Sequence, residues 1–180
     1  MKRRASHTLR GARISLEPFE ARFVTERYVG WLRDDIVSRF ISKAGTAVTL
    51  EDVRAFCSSM MDSTDDFFFA ILLDGRHIGN VRLGKIDWNT RTSGFGILIG
   101  ERGLHGQGLG SEAVNTITDF AFADLGLQAL RFPVVEEHAA AMRLYRKCGF
   151  TQAGPWPKPF ERNGRLLPMA MFEKSNSSAG

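Results

Sequence analysis

Apolar residues recur along the chain with two different periods, and the changes of period mark out its elements. Arg13–Leu16 alternates and reads as a first strand, closed by Pro18. Glu20–Leu32 carries Phe23, Arg27, Tyr28 and Trp31 at three- and four-residue spacing, which predicts a helix. Ile36–Ile41 is a short apolar segment that fits either state. Thr49 opens a second helix. Its hydroxyl can accept a first-turn N–H, Asp52 suits the positive helix end, and Val53, Phe56 and Met60 follow at helical spacing.

A meander of strands comes next. Phe67–Leu73 is continuously apolar, Asp74-Gly75 signals a two-residue hairpin, and His77–Leu83 returns as its partner. Ser93–Ile99 is a third strand after a turn around Asn89-Thr90. Gly100–Gly110 then holds five glycines in eleven residues. Leu109, Ala113, Ile117, Phe120 and Ala121 fall on one face of a long helix that Gly126 ends. Leu130–Val135 is a strand, and Ala139–Lys147 is a helix that stops at Gly149. Thr151–Ala153 and Leu166–Phe172 flank a hairpin turning at Asn163-Gly164. This order predicts an α+β fold, a mixed sheet with helices on its faces.

Composition narrows the class. A chain of 180 residues suits one domain, and 43% hydrophobic with 24% charged residues suits a soluble globule. No apolar run approaches the roughly 20 residues of a membrane span. The basic start has no apolar stretch behind it, so it does not read as a secretory signal. Cys57 and Cys148 match no metal or redox spacing, and two free thiols point to an intracellular, cytoplasmic protein. The formal charge of +4 is uneven. Lys2, Arg3, Arg4, Arg10 and Arg13 precede the first acid, Glu17, and the remainder holds 19 basic against 20 acidic residues. Residues 1–12 are therefore expected to be a mobile basic tail, 13–174 the domain and 175–180 a frayed end. With no aromatics among the basic residues, nucleic-acid binding is disfavoured.

The chemistry is concentrated after Ser93–Ile99. His105-Gly106-Gln107-Gly108-Leu109-Gly110-Ser111 joins a strand to a helix. Amides at a helix start attract an anion, and glycine lets a phosphate approach closely, so a diphosphate would fill such a loop. No lysine follows a glycine pair as an NTP-binding loop requires, and the glycine spacing is wrong for a dinucleotide fold. Alone, the segment is equally a glycine-rich turn. A second segment breaks the tie: His138-Ala139-Ala140-Ala141-Met142-Arg143-Leu144-Tyr145-Arg146-Lys147-Cys148-Gly149-Phe150. Together the two resemble the GNAT superfamily of acetyltransferases. Its cofactor loop reads Gln/Arg-x-x-Gly-x-Gly/Ala, and its later signature reads Asn-x-x-Ala/Ser followed by Leu-Tyr-x-Lys-x-Gly-Phe. Ile14–Pro18, Phe95–Glu101 and Ser111-Glu112-Ala113 resemble the branch containing ribosomal-protein N-terminal acetyltransferases. Acetyltransferases for amino sugars, polyamines and antibiotics are similar too.

The resemblance implies a mostly antiparallel GNAT-like sheet, splayed between Phe95–Ile99 and Leu130–Val135, with helices on both faces. Pro133, lacking an N–H, suits a strand edge that opens. The resemblance also implies an N-acetyltransferase that moves the acetyl group of acetyl-CoA, its cosubstrate, to a primary amine by direct attack on the thioester, without a metal. The acceptor would be a small-molecule or amino-sugar amine or a protein N-terminus, and the enzyme a monomer or homodimer. Ile97, Leu98 and Ile99, the loop His105, Gly106, Gln107, Gly108, Leu109, Gly110 and Ser111, and then His138, Ala141 and Tyr145 would hold the cofactor. Tyr145, a phenol of ordinary pKa about 10, would protonate the departing thiolate.

The base stays open. Gly94 stands where related sequences often carry Glu. Glu101 is a catalytic candidate beside His105, His77, Asp87 and Glu137, each acting through water, although His105 more simply lines the diphosphate site. His138 replaces the family's Asn. The acceptor site would lie between Tyr28–Arg39 and the last hairpin, with Trp31, Phe40, Trp88, Trp156 and Phe160 as candidate walls and Pro155–Pro159 as a rim or a plain connector. The rival reading is a CoA-binding sensor or interaction module without chemistry. The absent carboxylate and His138 favour it, and Tyr145 opposes it.

Overall fold

The computed structural model describes residues 7–42 and 44–177, so Lys2, Arg3 and Arg4 of the expected tail lie outside the described residues. Ten strands occur among the described residues: β1 (Leu9–Arg10), β2 (Ile14–Pro18), β3 (Phe67–Leu73), β4 (Arg76–Asp87), β5 (Thr92–Ile99), β6 (Ala129–Val135), β7 (Thr151–Pro155), β8 (Phe160–Arg162), β9 (Arg165–Leu167) and β10 (Met169–Ser175). Eight form one sheet in the order β1-β2-β3-β4-β5-β6-β10-β7, and β8 with β9 makes a separate ribbon. Every neighbouring pair is antiparallel except β5 with β6.

Side-chain alternation divides the core in two. Phe67, Phe69 and Ile71 of β3 join the cluster under helices α3 (Leu109–Asp119) and α4 (Ala139–Lys147). Phe68, Ala70 and Leu72 face helices α1 (Glu26–Arg33) and α2 (Leu50–Asp62) on the other side. That two-sided burial explains the unbroken apolar run Phe67–Leu73. The Asp74-Gly75 turn takes positive φ at both residues, 50° and 75°, as a tight hairpin demands.

The parallel seam between β5 and β6 lasts for two pairs, Thr92 with Ala129 and Ser93 with Leu130. Beyond it β5 stays on β4 as far as Ile99 with Gly79, while β6 stays on β10 as far as Val135 with Met169. The sheet therefore parts into a V. Aromatic rings fill its apex: Phe95 and Phe132 at 4.2 Å between centroids, Tyr145 5.6 and 4.8 Å from them, and Phe150 at 5.6 and 5.2 Å. Pro133 lies in the half of β6 that pairs only with β10.

Four readings of the sequence change. The helix expected over Glu20–Leu32 is broken: a 3₁₀ turn covers Ala21–Phe23 and α1 starts at Glu26, because the Thr25 hydroxyl caps the Tyr28 N–H at 3.4 Å. Ile36–Ile41 is a string of turns held by Asp34, whose Oδ1 accepts the amides of Ile36 (2.9 Å) and Val37 (3.1 Å). Asn163-Gly164 does form a turn, but it joins β8 to β9 rather than β7 to β10. Both ends of the sheet also reach past the expected boundaries. Leu9 is buried and pairs with Leu16, Ser175 pairs with Ala129, and Asn176 bonds Gln128 O (2.8 Å) and Leu127 O (3.0 Å).

The apex packing supplies a stability test. Phe132→Ala removes a ring enclosed by three others, and is expected to lower the unfolding free energy by about 3–5 kcal/mol in a denaturant titration. A loss below about 1 kcal/mol would show that the apex is not close-packed.

Candidate active site

The site grows from the free end of β5. Gly100 N donates the last bond along β4, to Ile78 O at 2.8 Å. No Cβ fits at Gly100, because it would meet the Trp31 ring at 1.9 Å. A 3₁₀ turn, Arg102–Leu104, lifts the chain away. His105 Nε2 donates back to Ile99 O at 2.8 Å, and Gln107 Nε2 donates to Gly103 O at 2.6 Å. These two side chains brace the loop from within. Gly106 and Gly108 then adopt φ of 77° and 82°, which a side chain would strain. Gly108 caps α3 and offers no side-chain oxygen to its first turn.

Consequently the six successive amides of Gly106, Gln107, Gly108, Leu109, Gly110 and Ser111 donate to no acceptor among the described residues. The first bonded amide is that of Glu112, to Gly108 O at 3.1 Å. The positive end of the α3 dipole adds to their potential. Such a cradle suits a diphosphate.

A buttress that sequence reading missed supports this loop from below. Arg13 Nη1 donates to Gln107 O at 3.0 Å, and its Nε pairs with Glu112 Oε2 at 3.0 Å. Glu112 Oε1 also accepts the amides of Arg13 (2.5 Å) and Ile14 (3.0 Å). Burial by itself would raise the Glu112 carboxyl, yet those amides and the guanidinium hold it below the usual carboxylate range. A Cβ at Gly11 would meet Glu112 Oε1 at 2.5 Å, so that glycine makes room for the carboxylate. The partners are 99 residues apart, and no local spacing announces them.

Helix α4 closes the other side. A Cβ at Gly110 would stand 3.7 Å from the Leu144 methyls, and Cys148 Sγ lies 3.7 Å from Ser111 O. His138 caps α4 without a side-chain bond, and its ring stacks on Phe40 with centroids 4.3 Å apart and planes 25° apart. Burial, then the Arg39 charge, lowers the His138 pKa. Ala141 and Tyr145 are buried. The Tyr145 hydroxyl makes no hydrogen bond among the described residues, and burial, with Cys148 nearby, raises its pKa. The phenol is therefore protonated at neutral pH. Ile97, Leu98 and Ile99 pair with β4 alone, which leaves their other edge on the V.

The remaining candidates are scattered. Glu101 pairs with Arg27 Nε at 3.1 Å. His77 bonds Asn80 Oδ1 at 2.8 Å in a nest of rings, with Trp31 at 4.9 Å and Phe23 at 5.0 Å, and burial lowers its pKa. Asp87 accepts the amides of Asn89 (2.9 Å) and Thr90 (3.2 Å) in the β4–β5 turn. Glu137 pairs with Arg165 at 3.3 Å. At Gly94 a Cβ would come within 3.1 Å of Arg131 O, so the neighbouring strand crowds that position.

Of the aromatic walls, Trp31 is core and Trp88 is tied to Asp65 at 3.1 Å beside that same turn. Phe160 packs with Val135 and Leu167, while Trp156 N is bonded to Met169 O at 2.8 Å. Phe40 stacks on His138. Its segment is pinned at both ends. Arg102 Nη2 holds Asp34 at 2.5 Å and drops that carboxyl to about 2. Arg162 of β8 donates to Ser38 O and to Ile41 O, the latter at 3.1 Å. Among the described residues no group of His, Cys, Asp or Glu is arranged to hold a metal, and no helix is long and apolar enough to cross a membrane.

Comparison with known proteins agrees with this geometry. Residues 13–151 match the acetyltransferase (GNAT) domain. The human alpha/beta-tubulin-N-acetyltransferase 9 is 27% identical over 158 residues, spanning 80% of this chain and 75% of that one. Spermidine N(1)-acetyltransferase of Escherichia coli K12 is 33% identical over 108 residues, 58% of each chain. These relatives do not single out the ribosomal-protein branch that the opening strand resembles. In fold, the spermidine N-acetyltransferase of Vibrio cholerae in complex with CoA and spermine superposes with a TM-score of 0.82 at 20% identity, covering 93% of this chain and 98% of the other. A GNAT-family acetyltransferase from Bacillus anthracis gives 0.82 at 18%, covering 96% and 100%. The open cradle, the parted strands and the match over residues 13–151 converge: this chain belongs to the GNAT family of N-acetyltransferases, enzymes whose acetyl donor is acetyl-CoA.

Proposed function

We propose that the protein acetylates the primary amine of a slender, polycationic small molecule. The observation that carries the transfer chemistry is the row of unbonded amides, Gly106–Ser111, at the mouth of the V that ends on Tyr145. The diphosphate of acetyl-CoA rests on those amides, and the pantetheine arm runs along the open edge of Ile97–Ile99. That course brings the thioester to the phenol. The neutral amine attacks the carbonyl carbon, the N–C bond forms and the C–S bond breaks. Tyr145, protonated because it is buried, gives its proton to the thiolate. Glu101, paired with Arg27, ties α1 to the end of β5.

Two things support the acceptor class. The relatives include spermidine acetyltransferases. Asp35, Glu136 and Glu161 also carry no ion pair among the described residues, and they sit on the turn segment, the β6–α4 turn and β8, which pack together through Phe40, Val135 and Phe160 beside His138. Carboxylates there would hold the distal ammonium groups of a polyamine. A protein amine is the second reading, on the strength of the tubulin-directed relative.

A thiol-release assay across spermidine, simple alkylamines, amino sugars and short peptides decides among these. Turnover led by spermidine is expected, and turnover confined to peptides would replace the small-molecule acceptor. CoA binding with no turnover on any amine would leave a sensor. Tyr145→Phe is expected to lower kcat by about 10²–10³ with CoA affinity unchanged. Gly108→Glu, which adds a side chain at φ 82° and a negative charge in the cradle, is expected to weaken CoA binding at least 100-fold by calorimetry. Arg13→Ala is expected to weaken it several-fold, because the loop loses its buttress at Gln107.

A further inference from the structure

We propose that His138 is the proton acceptor of the transfer, a role that rests on the acetyl-transfer reading above. The ring stands where β6 leaves the V and α4 begins, on the same helix as the phenol. Ala141 and Tyr145 follow at three and seven positions, the spacing of one helix face. Seven residues rise about 10 Å. Helical side chains lean toward the N-terminus, so the Tyr145 side chain is directed toward the end of α4 that carries His138. His138 and Tyr145 therefore lie along one face of a single rigid element.

Its surroundings suit the task. Phe40 stacks on the ring face and fixes its plane, leaving the nitrogens on the ring edge. Neither nitrogen is hydrogen-bonded among the described residues. Arg39, from the turn segment, disfavours the imidazolium, as does partial burial. Glu137 beside it is neutralised by Arg165 of β9, Glu136 is exposed, and Tyr145 from the same helix is uncharged. The other base candidates that the sequence offers are engaged elsewhere. His105 is spent on Ile99 O, His77 on Asn80, Glu101 on Arg27 and Asp87 on its own turn, while His7 precedes β1 at the far edge of the sheet.

The step balances. As the N–C bond forms, the attacking nitrogen loses a proton to His138. As the C–S bond breaks, the thiolate takes the phenol proton of Tyr145. The imidazolium then returns a proton to the phenolate, directly or through water, and both groups are restored. The products are the acetamide and CoA thiol.

The sign of the pH dependence follows. A histidine whose pKa is lowered from 6.5 is neutral and competent at pH 7 and above, and is lost as a base when pH falls through its pKa. The experiment compares the wild type with His138→Asn, using spermidine or, if it is inert, the best amine of the panel. Asparagine can still hydrogen-bond the pantetheine arm but cannot take a proton. The ratio of the two rates cancels the amine's own titration. At pH 8 the wild type is expected to be about 100-fold faster. Below the histidine pKa the ratio is expected to shrink toward one, by about tenfold per pH unit, with CoA affinity within about threefold at every pH. A ratio near one throughout, or a large ratio independent of pH, would overturn the role of His138 while leaving acetyl transfer intact. A wild type that binds CoA and turns over no amine would overturn the transfer reading and this inference together.

Discussion

Two parallel strands that begin hydrogen-bonded and then separate leave a row of main-chain groups facing empty space, and something must compensate for each. Here β5 and β6 part after Ser93 and Leu130. The apolar side of that parting is compensated by aromatic packing: Phe95, Phe132, Phe150 and Tyr145 wedge the apex. The polar side is left for a ligand, since β5 keeps β4 and β6 keeps β10 but neither has the other. A pantetheine arm, with two amides along a narrow chain, has the shape and the hydrogen-bonding groups for such a slot. The wedge that opens the sheet also carries the phenol, so the same packing that parts the strands places Tyr145 at the apex.

The loop above the slot answers a second electrostatic problem. Six amides with aligned dipoles repel one another unless an anion is present, and a loop of glycines has little side-chain packing to hold it. The protein supplies the rigidity from outside the cradle. His105 and Gln107 bond to the loop's own base, and Arg13 reaches from the first strands to a loop carbonyl. Glu112 neutralises that guanidinium on the inner side, which keeps the buttress from adding a large net charge beneath the site. Binding the anion then completes a structure that is already formed, and little ordering entropy is left to lose.

Much of this was legible in the sequence where the information is local. The bounds of α4, the Asp74-Gly75 hairpin, the Thr49–Asp52 cap of α2 and the glycine cradle each rest on residues within a few positions of one another. Reading failed where partners are distant. Nothing near Arg13 points to Glu112, and nothing near Glu101 or Glu137 shows that an arginine from another element neutralises it. The break before α1 is hidden because Phe23, Arg27 and Trp31 keep helical spacing across it, while the Thr25 cap decides the start. The last hairpin was misjoined because a strong turn signal fixes which residues turn, and tertiary packing fixes which strands pair. For His138, expected to hold the cofactor, no local pattern announces the stack on Phe40, which comes from a segment about a hundred residues earlier.

The central claim is that main-chain amides at the start of α3 grip the cofactor's diphosphate, and backbone NMR reports on those amides one by one. In a titration of ¹⁵N-labelled protein with acetyl-CoA, the resonances of Gly106 to Ser111 are expected to move furthest, downfield as they gain an anionic acceptor, with Ile97–Ile99 next. Saturation of binding while those six resonances stay still, and others elsewhere on the sheet shift instead, would contradict the account.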